Sequence, residues 1–270
     1  LLEYLKPWNP ETLHVRNEQI NILVLICSLF RGGRRPDAYK DCFIESVRPK
    51  LVVTNIDNNA SFYVISKRHP DIKTLFIQNG LRSYYCDAFE WLDNLTPDIL
   101  NNFYVDHMLV FGSVIGEKYS QYIEGDIALI GSLKNNFVQK KKPQKKVIAF
   151  VSLWRKNQGF YMGDKFCSFE DFWEKPDKLV IQWLMQYANK NNKQLMIVAS
   201  SSYDSNLFKQ EEAYYAELMG CEPKFLNLSE SCSSYKAIDL AEIVVSMEST
   251  LGLESIARGI KTALFFIRGT

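Results

Sequence analysis

The sequence predicts an α/β fold made of two doubly wound, Rossmann-like domains that face a cleft. Short β-branched runs alternate with helical patterns, which is typical of parallel strands joined by helices. The runs are residues 51–54, 73–77, 106–111 and 127–130, then 147–151, 194–199, 243–245 and 262–267. The most charged run, residues 139–146, separates the two sets. We therefore predict an N-terminal domain over 1–138, a lysine-rich linker over 139–146 and a C-terminal domain over 147–270.

Composition and charge narrow the class of protein. Lys+Arg total 32 and Asp+Glu 31, a net charge of +1, so no excess of cations favours nucleic acid as a partner. The six cysteines are scattered and form no Cys-x-x-Cys pair. That spacing argues against zinc and against a disulfide framework, and it favours a protein of the reducing cytosol.

Both ends of the sequence suggest truncation. The chain starts at Leu1 rather than methionine and stops directly after a predicted strand. The pattern predicts a helix over 11–30, and its apolar residues 20–30 are fewer than the ~20 that span a bilayer, so we expect them to be buried. Arg31, Arg34 and Arg35 follow this helix. They are read as a solvated helix end, and attraction of an anionic acceptor or a membrane surface is the alternative.

Polar residues follow two strands of the N-terminal domain at their carboxyl ends, where open α/β sheets bind ligands. Asp57 follows the first strand, and Asn58 beside it is placed to cap the next helix. Gln78, Asn79 and Gly80 follow the second strand. The amides can donate and accept hydrogen bonds as sugar hydroxyls require, and Gly80 permits a positive φ and close approach of a ligand. A plain turn is the alternative, because Asn, Asp and Gly are common in turns.

Two further residues extend this candidate site. Arg82 adds a planar fork for a phosphate or carboxylate. Asp87 supplies a second carboxylate within the aromatic stretch 84–89, which is read as either core packing or a wall on which sugars stack.

The C-terminal domain holds a strand, a polar turn and a helix near the end of the chain. Ser249 or Thr250 is a suitable N-cap for the helix, and Gly252 lies in its first turn. A helix N-terminus beyond the carboxyl end of a parallel strand suits a phosphate group. Glu254, one turn further on, is placed to accept hydrogen bonds from sugar or ribose hydroxyls.

Other turns of this domain carry the remaining candidates. Ser152 and Arg155 follow its first strand, and Arg155 is the favoured cation for a phosphate, with an ordinary surface arginine as the alternative. The serine-rich turn 229–234 contacts a base or ribose in one interpretation and caps a helix in the other.

Ser249-Thr-Leu-Gly-Leu-Glu254 followed by Ala257-Arg-Gly-Ile-Lys261 resembles the donor-binding strand, turn and helix of GT-B glycosyltransferases. More narrowly, it is similar to bacterial capsule and lipopolysaccharide biosynthesis proteins. Other stretches fit that family in order and spacing: Pro49-Lys-Leu-Val-Val-Thr-Asn-Ile-Asp-Asn-Asn59, Phe76-Ile-Gln-Asn-Gly-Leu-Arg82, Val110-Phe-Gly112, Ile130-Gly-Ser132 and Phe150-Val-Ser-Leu-Trp-Arg155.

The resemblance implies a cytoplasmic glycosyltransferase that needs neither a metal nor another cofactor. It would move a sugar from a nucleotide donor to a glycan or a lipid-linked glycan, with peripheral association at the inner membrane. A CMP-activated acidic sugar such as Kdo is favoured as the donor. The resemblance assigns donor binding to Arg155, Ser152, Ser249, Thr250, Gly252 and Glu254, acceptor binding to Asn58, Gln78 and Gly80, and catalysis to Asp57, Asp87, Asn79 and Arg82.

The carboxylate of Asp57 or Asp87 would act as a base or as a nucleophile, which leaves inversion and retention both open. A polyol-phosphate (teichoic-type) transferase and a nucleotide-sugar 2-epimerase are alternatives with the same fold. The three histidines, His14, His69 and His107, lie in none of the predicted ligand turns, which disfavours the epimerase. A glycan-binding module without catalysis is the non-enzymatic alternative.

Overall fold

The computed structural model describes residues 5–14, 19–32, 37–82, 87–141, 146–155, 159–162, 165–201, 205–226 and 233–268. The chain divides into two compact units: unit 1 comprises Leu1–Asn79 and Asp87–Ile130, and unit 2 comprises Gly80–Cys86 and Gly131–Thr270. Each unit contains a four-stranded parallel sheet with helices packed on it. The predicted α/β fold with two Rossmann-like units is therefore confirmed.

The strands are β1 (Leu51–Thr54), β2 (Lys73–Ile77), β3 (Tyr104–Val110), β4 (Glu124–Leu129), β5 (Val147–Val151), β6 (Phe160–Met162), β7 (Lys165–Cys167), β8 (Gln194–Val198), β9 (Ile243–Ser246) and β10 (Lys261–Leu264). The α-helices of unit 1 are Ile22–Gly32, Ala38–Val47, Ala60–Tyr63, Ile65–Arg68, Ala88–Asp93, Pro97–Leu100 and Ser113–Ser120. Those of unit 2 are Leu133–Phe137, Lys175–Lys190, Asn206–Met219, Ser233–Leu240 and Thr250–Ala257. A 3₁₀ turn spans Lys6–Trp8 and a π-helical turn spans Glu170–Glu174.

The sheet of unit 1 has the strand order β1-β2-β3-β4, and all its neighbouring pairs are parallel. Its core is aromatic: Tyr63, Phe76 and Tyr119 have no exposed surface, and the rings of Phe76 and Tyr119 lie 5.2 Å apart. Because parallel strands end at one edge, the residues after β1 and β2 come together there.

The first long helix of unit 1 differs from its prediction. The expected helix over 11–30 begins only at Ile22, and residues 15–18 lie outside the described part of the chain. The expectation that its apolar residues are buried holds for Val24, at 5% exposure, and is wrong for Leu23 and Phe30, at 78% and 88%. No helix among the described residues is long and apolar enough to cross a bilayer.

The sheet of unit 2 has the order β10-β9-β5-β8, so the direction of winding reverses within it. Alternate residues of β5 point to opposite faces, with Ile148 and Phe150 in one hydrophobic cluster and Ala149 and Val151 in another. The helices Lys175–Lys190 and Asn206–Met219 cover the first face, and Ser233–Leu240 covers the second. Helices on both faces make this sheet doubly wound.

The boundary between the units differs from the predicted one. Unit 2 already begins at Gly131, and it also takes up Gly80–Cys86 from the first half of the chain. Parts of the predicted linker are bound to unit 2: the amide of Lys141 donates to Asp239 at 2.8 Å, and that of Lys146 donates to Glu242 at 2.8 Å. Residues 142–145 of the linker lie outside the described residues.

Candidate functional site

At the carboxyl edge of the unit 2 sheet, β5 and β9 are parallel neighbours, but the next strand after each lies on the opposite side of the pair. From β5 the sheet continues to β8, and from β9, on the other side of β5, it continues to β10. Ligands of open α/β sheets bind in the crevice at such a point. The loop 152–155 follows β5 and the turn 247–249 follows β9, so two of the predicted donor-binding segments flank this point.

The helix Thr250–Ala257 begins at this edge and is capped by Ser249. The Ser249 side chain accepts a hydrogen bond from the amide of Leu251 at 3.3 Å, which confirms the predicted cap. The hydroxyl of Thr250 accepts a 2.8 Å hydrogen bond from the amide of Leu81, and its own proton remains able to donate. The partial positive charge of the helix N-terminus lies at the same place.

Gly252 lies in the first turn of this helix, but it is buried and faces β9. A Cβ atom at this position would lie 2.5 Å from Cβ of Ser246. The amide of Gly252 also donates to the carbonyl of Ser249 at 2.9 Å. Glycine is therefore needed here so that the helix can pack closely against the strand, and contact of Gly252 with the donor stays a prediction.

The turn between β9 and the helix contains a residue that the sequence analysis overlooked. Glu248 has a left-handed backbone, with φ at 61°, which is uncommon for a residue with a side chain. Burial raises the pKa of its carboxyl group, and the positive charge of Arg268 opposes this effect. Strained residues of this kind cluster at binding sites, so Glu248 joins the candidate residues at this edge.

The loop after β5 separates the two residues predicted there. Arg155 is exposed, and no hydrogen bond or ion pair ties it to the rest of the described chain. Ser152 is only 3% exposed; its hydroxyl donates to Glu211 at 2.5 Å and accepts from Tyr215 at 2.9 Å. Arg155 is therefore placed to meet a ligand, whereas Ser152 fixes the loop from inside.

Glu211 was not identified from the sequence, although it organises this edge. It has no exposed surface, and its carboxylate accepts hydrogen bonds from Ser152, from the amide of Ser200 at 2.9 Å and from the amide of Ser201 at 2.9 Å. It thus joins the loops after β5 and β8. The signal in the sequence is its spacing, since it lies three residues after Phe208 and four before Tyr215 on the buried face of a helix.

Glu254 is close to the helix start but largely enclosed, with 7% of its surface exposed. Its carboxylate accepts hydrogen bonds from the hydroxyl of Tyr235, at 2.9 Å, and from that of Ser132. Burial raises the pKa of Glu254, and these hydrogen bonds oppose the rise. To bind Glu254, a ribose hydroxyl would have to share the carboxylate oxygens with the Tyr235 and Ser132 hydroxyls or displace them.

The segment 80–82 belongs to unit 2 and lies beside the same helix start. Gly80 is not among the residues with positive φ, so the predicted need for a left-handed backbone there is wrong. Its Cα nevertheless lies close to Thr250. A Cβ at Gly80 would lie 3.5 Å from the Thr250 hydroxyl, an ordinary contact. Arg82 is half-buried, and its Nη1 lies 3.5 Å from the carbonyl of Leu81.

In unit 1, the residues after β1 and β2 are joined by the carboxylate of Asp57. Asp57 has no exposed surface; it accepts a hydrogen bond from the hydroxyl of Tyr119 at 2.8 Å and from the amide of Asn79 at 3.1 Å. Gln78 is 3% exposed and accepts a 2.8 Å hydrogen bond from the amide of Phe111. Asn79 itself is exposed. The two buried side chains therefore hold the edge together.

The other two polar residues predicted in unit 1 lie at helix starts. Asn58 is exposed and is not the cap; Asn59 caps the helix Ala60–Tyr63 through the amide of Ser61 at 3.1 Å. Asp87 caps the helix Ala88–Asp93, accepting from the amide of Ala88 at 2.7 Å, and remains half-buried.

Some predicted features fall outside the described residues, namely residues 84–86 of the aromatic stretch, Arg34 and Arg35, and residues 229–232 of the serine-rich turn. Within the described chain, no group of three or more His, Cys, Asp or Glu side chains is arranged to hold a metal ion.

Several solved structures resemble this chain at low sequence identity. The glycosylation-associated protein (Gap123) complex of Streptococcus agalactiae matches with a TM-score of 0.46 and 11% identity, over 86% of this chain and 46% of that one. A glycosyltransferase from Rickettsia africae ESF-5 matches with 0.46 and 10% identity, over 100% and 69% of the two chains. UDP-GlcNAc 2-epimerase from Methanocaldococcus jannaschii matches with 0.47 and 10% identity, over 97% and 72%. The chain thus spans about half the length of the first of these.

No curated protein matches the sequence. A family model does match: the one described as "putative O-antigen biosynthesis protein" covers residues 75–270, which include all of β3 to β10 and the candidate edge of unit 2. With well over half of its length covered, the chain belongs to this O-antigen biosynthesis protein family.

Proposed function

We propose that this protein is a glycosyltransferase that moves a sugar from a nucleotide donor to a bacterial surface polysaccharide. The observation that carries the proposal is that the exposed cation Arg155 and the start of the helix Thr250–Ala257 lie at the same edge of the unit 2 sheet. Both follow strands that flank the reversal of winding. Membership of the O-antigen biosynthesis family supports a role in making a surface glycan.

The donor's phosphate is the group that these residues suit. When the acceptor hydroxyl attacks the anomeric carbon, the bond from that carbon to the phosphate oxygen breaks and its electron pair stays on the phosphate. Arg155 would neutralise the developing charge, and the helix dipole and the Thr250 hydroxyl would add to this. Charge stabilisation of this kind requires no metal ion, so we propose a metal-independent transfer.

The acceptor hydroxyl must lose its proton during the transfer, and Asp87 is the better candidate for the base. A base has to reach the proton that it takes. Part of the surface of Asp87 is exposed, whereas Asp57 has no exposed surface. We therefore assign Asp57 to positioning Asn79, and we assign contacts with the acceptor to Asn79 and Asn58, which are both exposed.

We favour a CMP-activated acidic sugar such as Kdo as the donor and the cytoplasmic face of the inner membrane as the place of action. The carboxylate of an acidic sugar would find a second cation in Arg82, on the segment whose Leu81 amide binds Thr250.

Thermal-shift measurements with CMP, CDP, UDP, GDP and CMP-Kdo test this assignment. A ligand at ~100 times its dissociation constant adds ~2.7 kcal/mol to the free energy of unfolding. We expect CMP and CMP-Kdo to raise the melting temperature of the wild type and the effect to fall in Arg155→Gln. Lys178→Gln is the control, because Lys178 is an exposed cation on the helix Lys175–Lys190 and is not one of the candidate site residues. A response to CDP alone would favour a polyol-phosphate transferase, and a response to UDP alone a hexose transferase or an epimerase. No response to any nucleotide would overturn the proposal in favour of a non-catalytic module.

A further inference from the structure

The helix Ile22–Gly32 has one side packed on its neighbour and an exposed side that is apolar. Val24 and Ser28 are 5% and 4% exposed, and the helix packs with this side on Ala38–Val47. The opposite side is formed by residues at three- and four-residue spacing, which share one face of a helix. These are Ile22, Leu23, Ile26, Leu29 and Phe30, with exposures of 69%, 78%, 46%, 58% and 88%. We call these five residues the apolar face.

The apolar face needs an occupant. Single exposed apolar residues are normal on a protein surface, but a contiguous patch marks a site of interaction. A helix that is hydrophobic all round is buried, either in a protein or in a membrane. This face is therefore a surface where unit 1 meets a partner.

A basic cleft of about 750 Å³ adjoins this helix and indicates the chemistry of the partner. Cys27 and Arg31 of the helix line it, together with Arg48, Lys50 and Arg68. Two acidic side chains, Glu45 and Asp71, also line the cleft, against four arginine and lysine side chains.

Two of these cations have no ionic partner in the described part of the chain. Arg31 pairs with Glu45, and Arg68 pairs with Asp37 at 3.0 Å. Arg48 and Lys50 are exposed and form no ion pair with a described residue. The cleft thus keeps uncompensated positive charge beside an apolar helix.

We propose that the apolar face, with Arg48 and Lys50, binds the surface of an anionic phospholipid bilayer. The helix has 11 residues, too few for the ~20 of a bilayer span, so it would lie in the plane of the interface. Its apolar side chains enter the boundary between headgroups and acyl chains to a depth of about 5–10 Å. Arg48 and Lys50 then meet the lipid phosphates.

The charges favour a membrane over a second copy of the chain. A self-complementary contact that included the apolar face, Arg48 and Lys50 would place like charges of two copies together, which disfavours association. A bilayer of anionic lipid offers an apolar layer bordered by negative charge, which suits both the exposed apolar side chains and the two cations without an ionic partner among the described residues.

Co-sedimentation of the protein with vesicles tests the proposal. One set of vesicles contains phosphatidylglycerol and phosphatidylcholine, and the other contains phosphatidylcholine alone. We expect binding to the anionic set, weakened by salt. The double variant Leu23→Glu, Phe30→Glu should lose it. The double variant Arg48→Gln, Lys50→Gln should bind about thirtyfold more weakly, the loss expected for two cations near such a surface.

Leu179→Glu is the matched control, because Leu179 is a 64% exposed leucine on a helix of unit 2. It should bind like the wild type, and all variants should keep the wild-type melting temperature. Absence of vesicle binding by the wild type would overturn the proposal. So would a dimer, seen by sedimentation without lipid, that Leu23→Glu and Phe30→Glu dissociate. Nucleotide binding is measured separately, so failure here leaves the proposed transferase function standing.

Discussion

The carboxylate of Glu211 accepts a 2.5 Å hydrogen bond from the hydroxyl of Ser152 in the interior of unit 2. Because the amides of Ser200 and Ser201 donate to the same carboxylate, a glutamine here would turn its NH₂ group toward a donor. We expect Glu211→Gln to lower the free energy of unfolding by about 2–4 kcal/mol, the range for breaking a buried network. Urea denaturation measures this.

The control for Glu211 is Glu217→Gln, on the exposed side of the same helix. It should change the free energy of unfolding by less than about 0.5 kcal/mol. If Glu211→Gln were as stable as the wild type, Glu211 would not be what holds the loops after β5 and β8.

The packing of Gly252 against Ser246 predicts a cost for any added side chain. Since a Cβ would lie 2.5 Å from that of Ser246, helix and strand would have to separate. We expect Gly252→Ala to lower the free energy of unfolding by about 1–3 kcal/mol without any ligand present. Gly112→Ala is the control, because nothing lies within 4 Å of a Cβ there. Equal stability of the two variants would show that Gly252 is not needed for packing.

Because the pKa of Asp106 is lowered in the folded protein, we expect the free energy of unfolding to fall in acid. Burial acts to raise its pKa, but hydrogen bonds from Lys73, Thr74 and Ser66 outweigh burial and lower the pKa to about 2. The stabilisation is complete above the unfolded-state pKa of 3.8 and is lost as the pH falls through about 2. The shift corresponds to about 2 kcal/mol.

Urea titrations at pH 6 and pH 2.5 check this expectation for Asp106. The variant Asp106→Asn should be less stable than the wild type at pH 6 and should lose less stability on acidification. Asp126→Asn, whose side chain is 87% exposed on the neighbouring strand, should keep the wild-type dependence. If the stability of Asp106→Asn had the wild-type pH dependence, carboxylates other than Asp106 would determine the loss of stability in acid.

Asp57 and Asp87 are expected to respond differently to the same substitution. Asn is as good a helix cap as Asp, so Asp87→Asn should keep the melting temperature while the turnover number falls by about 10²–10⁴. Asp57→Asn should lower the melting temperature, because its oxygens hold both Tyr119 and Asn79. Sugar transfer from the nucleotide that binds and thermal unfolding are the two measurements. Full activity of Asp87→Asn would exclude Asp87 as the base.

Strand positions could be predicted because short β-branched runs bounded by turn residues strongly favour β-strands. The run 147–151, for example, is β5 over the predicted residues. The pairing of β5 with both β8 and β9 could not be predicted, since periodicity identifies strands but not their neighbours. The reversal of winding, and with it the location of the crevice, becomes visible only from that pairing.

The sequence also could not predict which side chains of a loop are buried and which are exposed. Ser152 and Arg155 lie in one short loop, yet the serine is buried and the arginine exposed, because Glu211 from a distant helix binds the serine. Likewise the turn after β9 was predicted as a phosphate site with Gly252 in it, whereas that glycine faces the strand. Residue type and position identified the turns at the carboxyl ends of the strands, but the partners that decide which side chains are buried come from other parts of the chain.

The passage of Gly80–Cys86 into unit 2 has a consequence for how the chain is made. These residues leave the ribosome before most of unit 2. The hydrogen bond from the Leu81 amide to Thr250 can therefore form only after nearly the whole sequence has been synthesised. A fragment that starts at Gly131 would therefore fold without this hydrogen bond. An expression plasmid that separates the units between Ile130 and Gly131 would leave the Thr250 hydroxyl without the amide that it accepts from.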